Sequence, residues 1–190
     1  MRIQKYLDDI EWVAKAASKD QGRPILTGIL RQRTGEMKGR LAATNGHVLH
    51  VADVAYPIQF PGVALLSGKA IDGQFPHIDH VIPTKPATHV ISDVARFLAT
   101  CEAAAAFGKA MGVKGPAKEN AIRLLGCDFE PRYLLDAIQG AILTDNHRIE
   151  VYCKASVLRL AFGIERKAVI MGVREAKPRF AVDEFLEKIS

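Results

Sequence analysis

The sequence has no run of about 18 apolar residues, so no helix of ordinary membrane-spanning length is expected. Its N-terminal stretch, MRIQKYLDDIEWV, carries too many charges for a secretory signal, and the two absences together predict a cytoplasmic protein. Cysteine is scarce and odd in number. Cys101, Cys127 and Cys153 lie too far apart for a CxxC element, so free thiols in a reducing compartment are expected. The glycine loop GxxxxGK[ST] is missing, as are GxGxxG, GxSxG and HExxH. The sequence thus offers no phosphate cradle and no nucleophile with its base, and neither a catalysed reaction nor a cofactor is expected. A strong charge of one sign is also lacking. Lys plus Arg number 26 and Asp plus Glu 21, and the resulting +5 permits contact with nucleic acid without requiring it.

What is present is an ordinary globular profile of 190 residues, 48% hydrophobic and 25% charged, enough to bury a core without a metal or disulfide staple. Residues 4–19 read as a helix with Tyr6, Leu7, Ile10, Val13, Ala14 and Ala17 as its apolar stripe, ended by Gly22 and Pro24. Strands are predicted at 25–33, 39–44 and 48–54, with a hairpin turn at Gly35 and another at Asn45-Gly46, two residues that tolerate positive φ. Residues 57–86 hold five of the nine prolines and read as an extended connection in which only 62–71 looks strand-like.

The second half repeats the element order. A short strand at 88–92 precedes a helix at 93–111, capped by Ser92 or Asp93 and stopped by Gly112. A polar loop at 112–120 leads to a strand at 121–126. A helix follows at 131–139 with Pro131 in its first position, then a turn at Asp145-Asn146 and strands at 148–154, 157–163 and 167–173. The tail reads as one or two amphipathic turns. Strands joined by short turns, with helices packed on one face, define an α+β class of antiparallel sheets. The boundaries predicted are 1–71 and 87–175 for two compact halves, 72–86 for a linker and 176–190 for a tail.

Two residue clusters invite a chemical reading and are better read as surface. Asp8, Asp9 and Glu11 form an acidic group expected to be a solvated first turn. His77, Asp79 and His80 are metal ligands by type, but their spacing fits no zinc pattern, and no metal is expected.

Four separated segments carry more specific information. PILTGIL (24–30) precedes LAATNGHVL (41–49), DGQFPHIDHVIP spans 72–83, DFEPRYLLDAI spans 128–138, and AVIMGVR spans 168–174. In this order they resemble segments of the bacterial DNA sliding clamp, the β subunit of DNA polymerase III. That family carries ATDGHRL, GxFPDYxxVIP, FNxRYLLDAL and VMPMR in the matching places. The match covers about a third of the chain, resembling parts of the family's second and third domains. The resemblance implies a clamp-like α+β fold and a hydrophobic cleft between two domains that takes short linear motifs of polymerases and repair proteins. Position by position, it implies that Leu26, Thr44, Gly46, His47 and Leu49 form one wall, Pro76 and Val81 the linker wall, and Tyr133, Val169 and Met171 the other.

The sequence departs from the family at several of these places. Val48 stands where the family has an arginine, Asn45 for its aspartate, Glu130 for its asparagine and Gly172 for its proline. The chain is also about half the family's length, so a ring of clamp size would need more copies of a homo-oligomer. A second reading keeps the fold for its basic surface alone. In it Lys5, Lys15, Lys19, Arg96 and Lys109 contact duplex DNA through phosphates, without sequence preference.

Overall fold

The computed structural model describes residues 2–112, 120–142, 148–174, 176, 178 and 180–189. The chain divides into two compact units: Met1–Ile82 with Ile164–Ala168, and Pro83–Gly163 with Val169–Ser190.

The first unit opens with α1 (Arg2–Ala14), followed by a 3-10 turn at Pro24–Thr27, β1 (Ile29–Gly35), β2 (Lys38–Thr44), β3 (Val48–Val54), β4 (Gly62–Ala64), β5 (Ala70–Ile71) and a second 3-10 turn at Asp79–Val81. The strands run in the order β5-β4-β1-β2-β3, each antiparallel to its neighbour. Residues 164–168 return to this unit beside β3, where the Glu165 carbonyl accepts from the Asp53 N–H at 2.8 Å. Helix α1 packs over β2 and β3.

The predicted helix 4–19 ends early, at Ala14. The N–H groups of Lys15, Ala16 and Ala17 turn back to carbonyls three residues earlier, and the Ser18 N–H donates to the Leu26 carbonyl at 2.8 Å. That bond to a distant segment pulls the chain out of its helix. The buried face also differs from the predicted stripe. Leu7 is exposed, whereas Asp9, Ile10, Trp12, Val13 and Ala16 are buried. Asp9 is therefore no solvated residue: it is 1% exposed and holds the buried Arg166.

The strand predicted over 25–33 starts only at Ile29. Pro24 fixes φ for a 3-10 turn, which Thr27 closes by donating its hydroxyl to the Pro24 carbonyl at 2.7 Å. The hairpin of β2 and β3 forms where predicted, with Gly46 at φ +94°. Gly39 on β2 is required by closeness: a Cβ there would sit 2.3 Å from Ile58 Cγ1. The strand-like stretch 62–71 resolves into β4 and β5 around a turn at Gly68.

The second unit contains β6 (His89–Ile91), α2 (Val94–Ala110), β7 (Ile122–Leu124), β8 (Cys127–Phe129), α3 (Pro131–Ile142), β9 (Ile149–Lys154), β10 (Val157–Phe162), the last three residues of β11 (Arg166–Met171), β12 (Phe180–Ala181), a 3-10 turn at Asp183–Phe185 and β13 (Leu186–Lys188). The order β13-β6-β9-β10 is antiparallel throughout, with residues 169–171 next to β10. A separate small sheet runs β12-β7-β8, where β12 lies parallel to β7 over two residues.

Asp93 caps α2 by accepting from the Arg96 N–H at 3.0 Å, as the sequence suggested. The buried face of α2 is Phe97, Cys101, Ala104 and Gly108. The strand predicted at 121–126 stops at Leu124, because Leu125 and Gly126 both take positive φ and form a tight hairpin turn. That turn feeds β8, which the sequence reading had missed. The amphipathic tail becomes β12, the 3-10 turn and β13, pairing with β7 and β6. The loop predicted at 112–120 falls largely, and the turn at Asp145-Asn146 entirely, outside the described residues.

Candidate functional site

Seven of the ten residues assigned to peptide binding lie in the first unit and three in the second. In the first unit the centre of the arrangement is the tip of the β2–β3 hairpin. Asn45 Oδ1 accepts from the N–H groups of His47 and Val48 at 2.8 and 3.0 Å. The Thr44 hydroxyl donates to the Val48 carbonyl at 2.7 Å and accepts from the Gly46 N–H at 3.0 Å. Both polar side chains are spent on the turn, which they stiffen, and the exposed His47 is held out at its end. Thr44 therefore shapes this site from within its backbone.

Two neighbours flank the tip. A Cβ on Gly46 would stand 3.6 Å from Arg23 Nη1, and one on Gly73 would stand 3.3 Å from Ile25 Cδ1. The 3-10 turn carrying Leu26 thus has the hairpin tip near its start and the 72–83 segment near its first residues. Leu26 and Leu49 are buried, while Pro76 and Val81 are exposed. Phe75 and Ile78 anchor that segment in the core, and the residues between and beside them face out.

An ion network ties the segment to the sheet. Arg40 donates to Asp53 at 2.8 Å and to Asp79 at 2.7 Å, and Lys167 donates to Asp53 at 3.0 Å. Burial works to raise the Asp53 carboxyl, but the bonds from Arg40 and Lys167 outweigh it and hold the group below its ordinary range. Asp79, considered above as a metal ligand, is engaged by Arg40 instead, and no group of three ligating side chains occurs among the described residues.

In the second unit Tyr133 is half-buried on α3, Val169 is buried and Met171 is 50% exposed. The chain after Met171 is fixed by bonds from Gly172 N–H to the Ser156 carbonyl and from Val173 N–H to the Asp128 carbonyl, at 2.7 and 2.6 Å. Gly172, where the clamps have proline, lies 3.0 Å from Ser156 Cβ through its would-be Cβ, so a small residue suits the place.

The five cations assigned to DNA differ in availability. Lys5 is held by Glu165 at 2.6 Å and lies 3.5 Å from Asp9. Lys15 and Lys19 are exposed but follow the end of α1 instead of lying on it. Arg96 sits 5.1 Å over the Phe185 ring, with Glu184 at 3.8 Å. Lys109 is exposed in the last turn of α2, and thirteen helical steps rotate it about 220° from Arg96, so the two do not share a face.

The sequence reading missed a cavity of about 520 Å³ within the first unit, bordered by Tyr6, Arg31, Tyr56 and Phe60. The only hint was the spacing of Arg31 and Arg33 around Gln32, which puts two cations on one face of a predicted strand.

Antiparallel strands backed by helices, in two units with the four quoted segments in this order, define a DNA-clamp fold. The DNA polymerase III β subunit from Pseudomonas aeruginosa aligns with TM-score 0.73 at 15% identity, over 92% of this chain and 65% of its own. The DNA polymerase sliding clamp from Caulobacter crescentus aligns with TM-score 0.70 at 17% identity, over 90% of this chain and 64% of its own. That from Bacillus subtilis gives 0.67 at 16%, over 90% and 62%. The chain thus has the sliding-clamp fold and spans less than two thirds of the length of these clamps. No protein-family model matches it, and no curated protein sequence does. No helix among the described residues is long and apolar enough to cross a membrane.

Proposed function

We propose that this protein is a clamp-like adaptor of DNA replication or repair that holds short linear motifs of partner proteins and catalyses no reaction. The observation that carries the reading is the β2–β3 tip, stiffened by Thr44 and Asn45 and flanked by the Leu26 turn, in a chain with the sliding-clamp fold. The exposed apolar Val81 and Met171 suit the anchors of such a motif, and a methionine adapts to varied side chains. Tyr133 and Val169 are assigned the same role on the resemblance alone. Val48, where clamps carry an arginine, removes a cation from the site, so either the affinity is weaker or the preferred motif differs from theirs. The test is a titration of a labelled peptide with leucine and phenylalanine anchors, followed by amide NMR. Saturable shifts at His47 and Val81 support the reading, and a peptide that shifts neither overturns it.

Duplex DNA is the second partner proposed, on the net charge of +5 and the exposed Lys15, Lys19 and Lys109. Binding of this kind is carried by phosphates, indifferent to sequence and steeply weakened by salt. Self-association is proposed with it, on the likeness in fold to the sliding clamps. A strictly monomeric mass in solution counts against encirclement.

A further inference from the structure

The cavity bordered by Arg31 belongs to the first unit alone and shares none of the ten residues assigned to peptide binding. We propose that it is a separate binding site for a carboxylate carried beside an aromatic or branched apolar group, as an acidic segment of a partner protein presents.

The argument starts from Arg31. Four arginines among the described residues are buried or half-buried. Arg40 holds two carboxylates, Arg159 donates to the Pro83 carbonyl at 2.6 Å, and Arg166 holds Asp9. Arg31 alone of the four makes no hydrogen bond and no ion pair among the described residues, and its Nε is buried without an acceptor. A guanidinium partly withdrawn from water without a counter-charge is unfavourable. Its planar fork of donors is matched best by a carboxylate or a phosphate.

The walls decide between the two. Around Arg31 stand Tyr6, Tyr56, Pro57, Ile58 and Phe60, in a space of about 520 Å³. Phe60 is 78% exposed, a large apolar surface left open at the rim. Phosphates bring polar sugars and charge, whereas these walls suit an apolar group attached to the anion. The walls are also preformed. The Tyr6 and Tyr56 rings meet edge to face at 5.5 Å, and the Tyr56 hydroxyl donates to the buried Asp9 at 3.2 Å. Arg33 donates to the Ile58 carbonyl at 3.1 Å and fixes that part of the wall. Rings fixed in this way lose little freedom when a ligand enters.

The probe is 3-phenylpropionate, a phenyl ring and a carboxylate on a short stem, followed by amide NMR on the full chain. The expected result is saturable shifts confined to the residues around Tyr6, Arg31, Tyr56 and Phe60, with the neutral 3-phenylpropanamide at least tenfold weaker. Arg31→Met should erase the preference for the acid while leaving the melting temperature equal or higher, because an unpaired charge is removed. Phe60→Ala should weaken both probes without altering the melting temperature. Equal binding of acid and amide overturns the proposal. So does an Arg31→Met protein that keeps the preference, or one that melts lower because the guanidinium is structural. If inorganic phosphate or a short duplex shifts the same residues at lower concentration than the carboxylate, the cavity is a nucleic-acid contact and the proposal fails.

Discussion

Arg166 and Asp9, 157 positions apart in sequence, form an ion pair in which the Nε and Nη2 groups donate to one carboxylate oxygen at 2.9 and 2.6 Å. Both residues are 1% exposed, and the guanidinium also lies 5.6 Å over the Trp12 ring. The second Asp9 oxygen accepts from Tyr56, whose phenol is pushed well above its ordinary range by burial and by the Asp9 charge. Removing one partner strands a buried charge. Asp9→Asn or Arg166→Met should each cost about 3–5 kcal/mol in denaturant unfolding, and the apolar double change Asp9→Leu with Arg166→Met should recover much of it. Single changes costing under about 1 kcal/mol contradict this account.

His50 sets an acid limit on the same unit. It is fully buried, stacked on Trp12 at 4.4 Å, and its Nδ1 lies 3.0 Å from the Trp12 carbonyl. Burial, countered by that bond and aided by the Lys15 charge, lowers its pKa from 6.5 to about 4. The folded form therefore holds a neutral ring, while the unfolded chain takes up a proton below pH 6.5. Stability is unaffected above that value and falls as the pH drops from about 6.5 to about 4, by about 3 kcal/mol in all. The His50 ring resonances should not titrate above pH 5. His50→Leu should flatten this part of the stability profile.

Gly108 tests the packing behind α2. A Cβ at this position would stand 2.0 Å from Asn120 Nδ2, which donates to the Ala104 carbonyl at 3.3 Å. Gly108→Ala should cost about 1–3 kcal/mol despite the better helix propensity of alanine. Asn120→Ala in the same chain should relieve the overlap. A melting temperature raised by Gly108→Ala alone contradicts the close approach.

The hairpin tip joins stability to function. Asn45→Ala removes two accepted hydrogen bonds and should cost about 1–2 kcal/mol, whereas Asn45→Asp, which restores the clamp residue, should preserve both. If the tip presents the peptide, Asn45→Ala should also weaken the binding of an anchored peptide. Binding that is unchanged when the tip is loosened separates the turn from the site.

Local features were legible in the sequence to the extent that local chemistry dictates them. Asn45-Gly46 and the Asp93 cap act through bonds spanning a few residues, Pro131 acts through its fixed φ at the start of α3, and each stands where expected. The misreadings came from distant partners. Helix α1 ends early because Ser18 bonds to Leu26, and Asp9 is buried because Arg166 arrives from the far end of the chain. Strand β8 was hidden because Cys127–Phe129 is only three residues long and runs straight into the helix that Pro131 announced. Of the candidate site, the residue types were readable, but not that Thr44 is consumed by its own turn, nor that Arg31 is left without a partner.

The most direct test of the adaptor reading is a fluorescence anisotropy titration of the anchored peptide against the wild-type chain and its Met171→Ala and His47→Ala variants. Both side chains are exposed, so neither change should disturb the fold. The account predicts saturable binding that Met171→Ala weakens by about 1–2 kcal/mol, with DNA binding untouched because the anchor carries no charge. Absence of binding by the wild-type chain, or binding that neither variant alters, contradicts it.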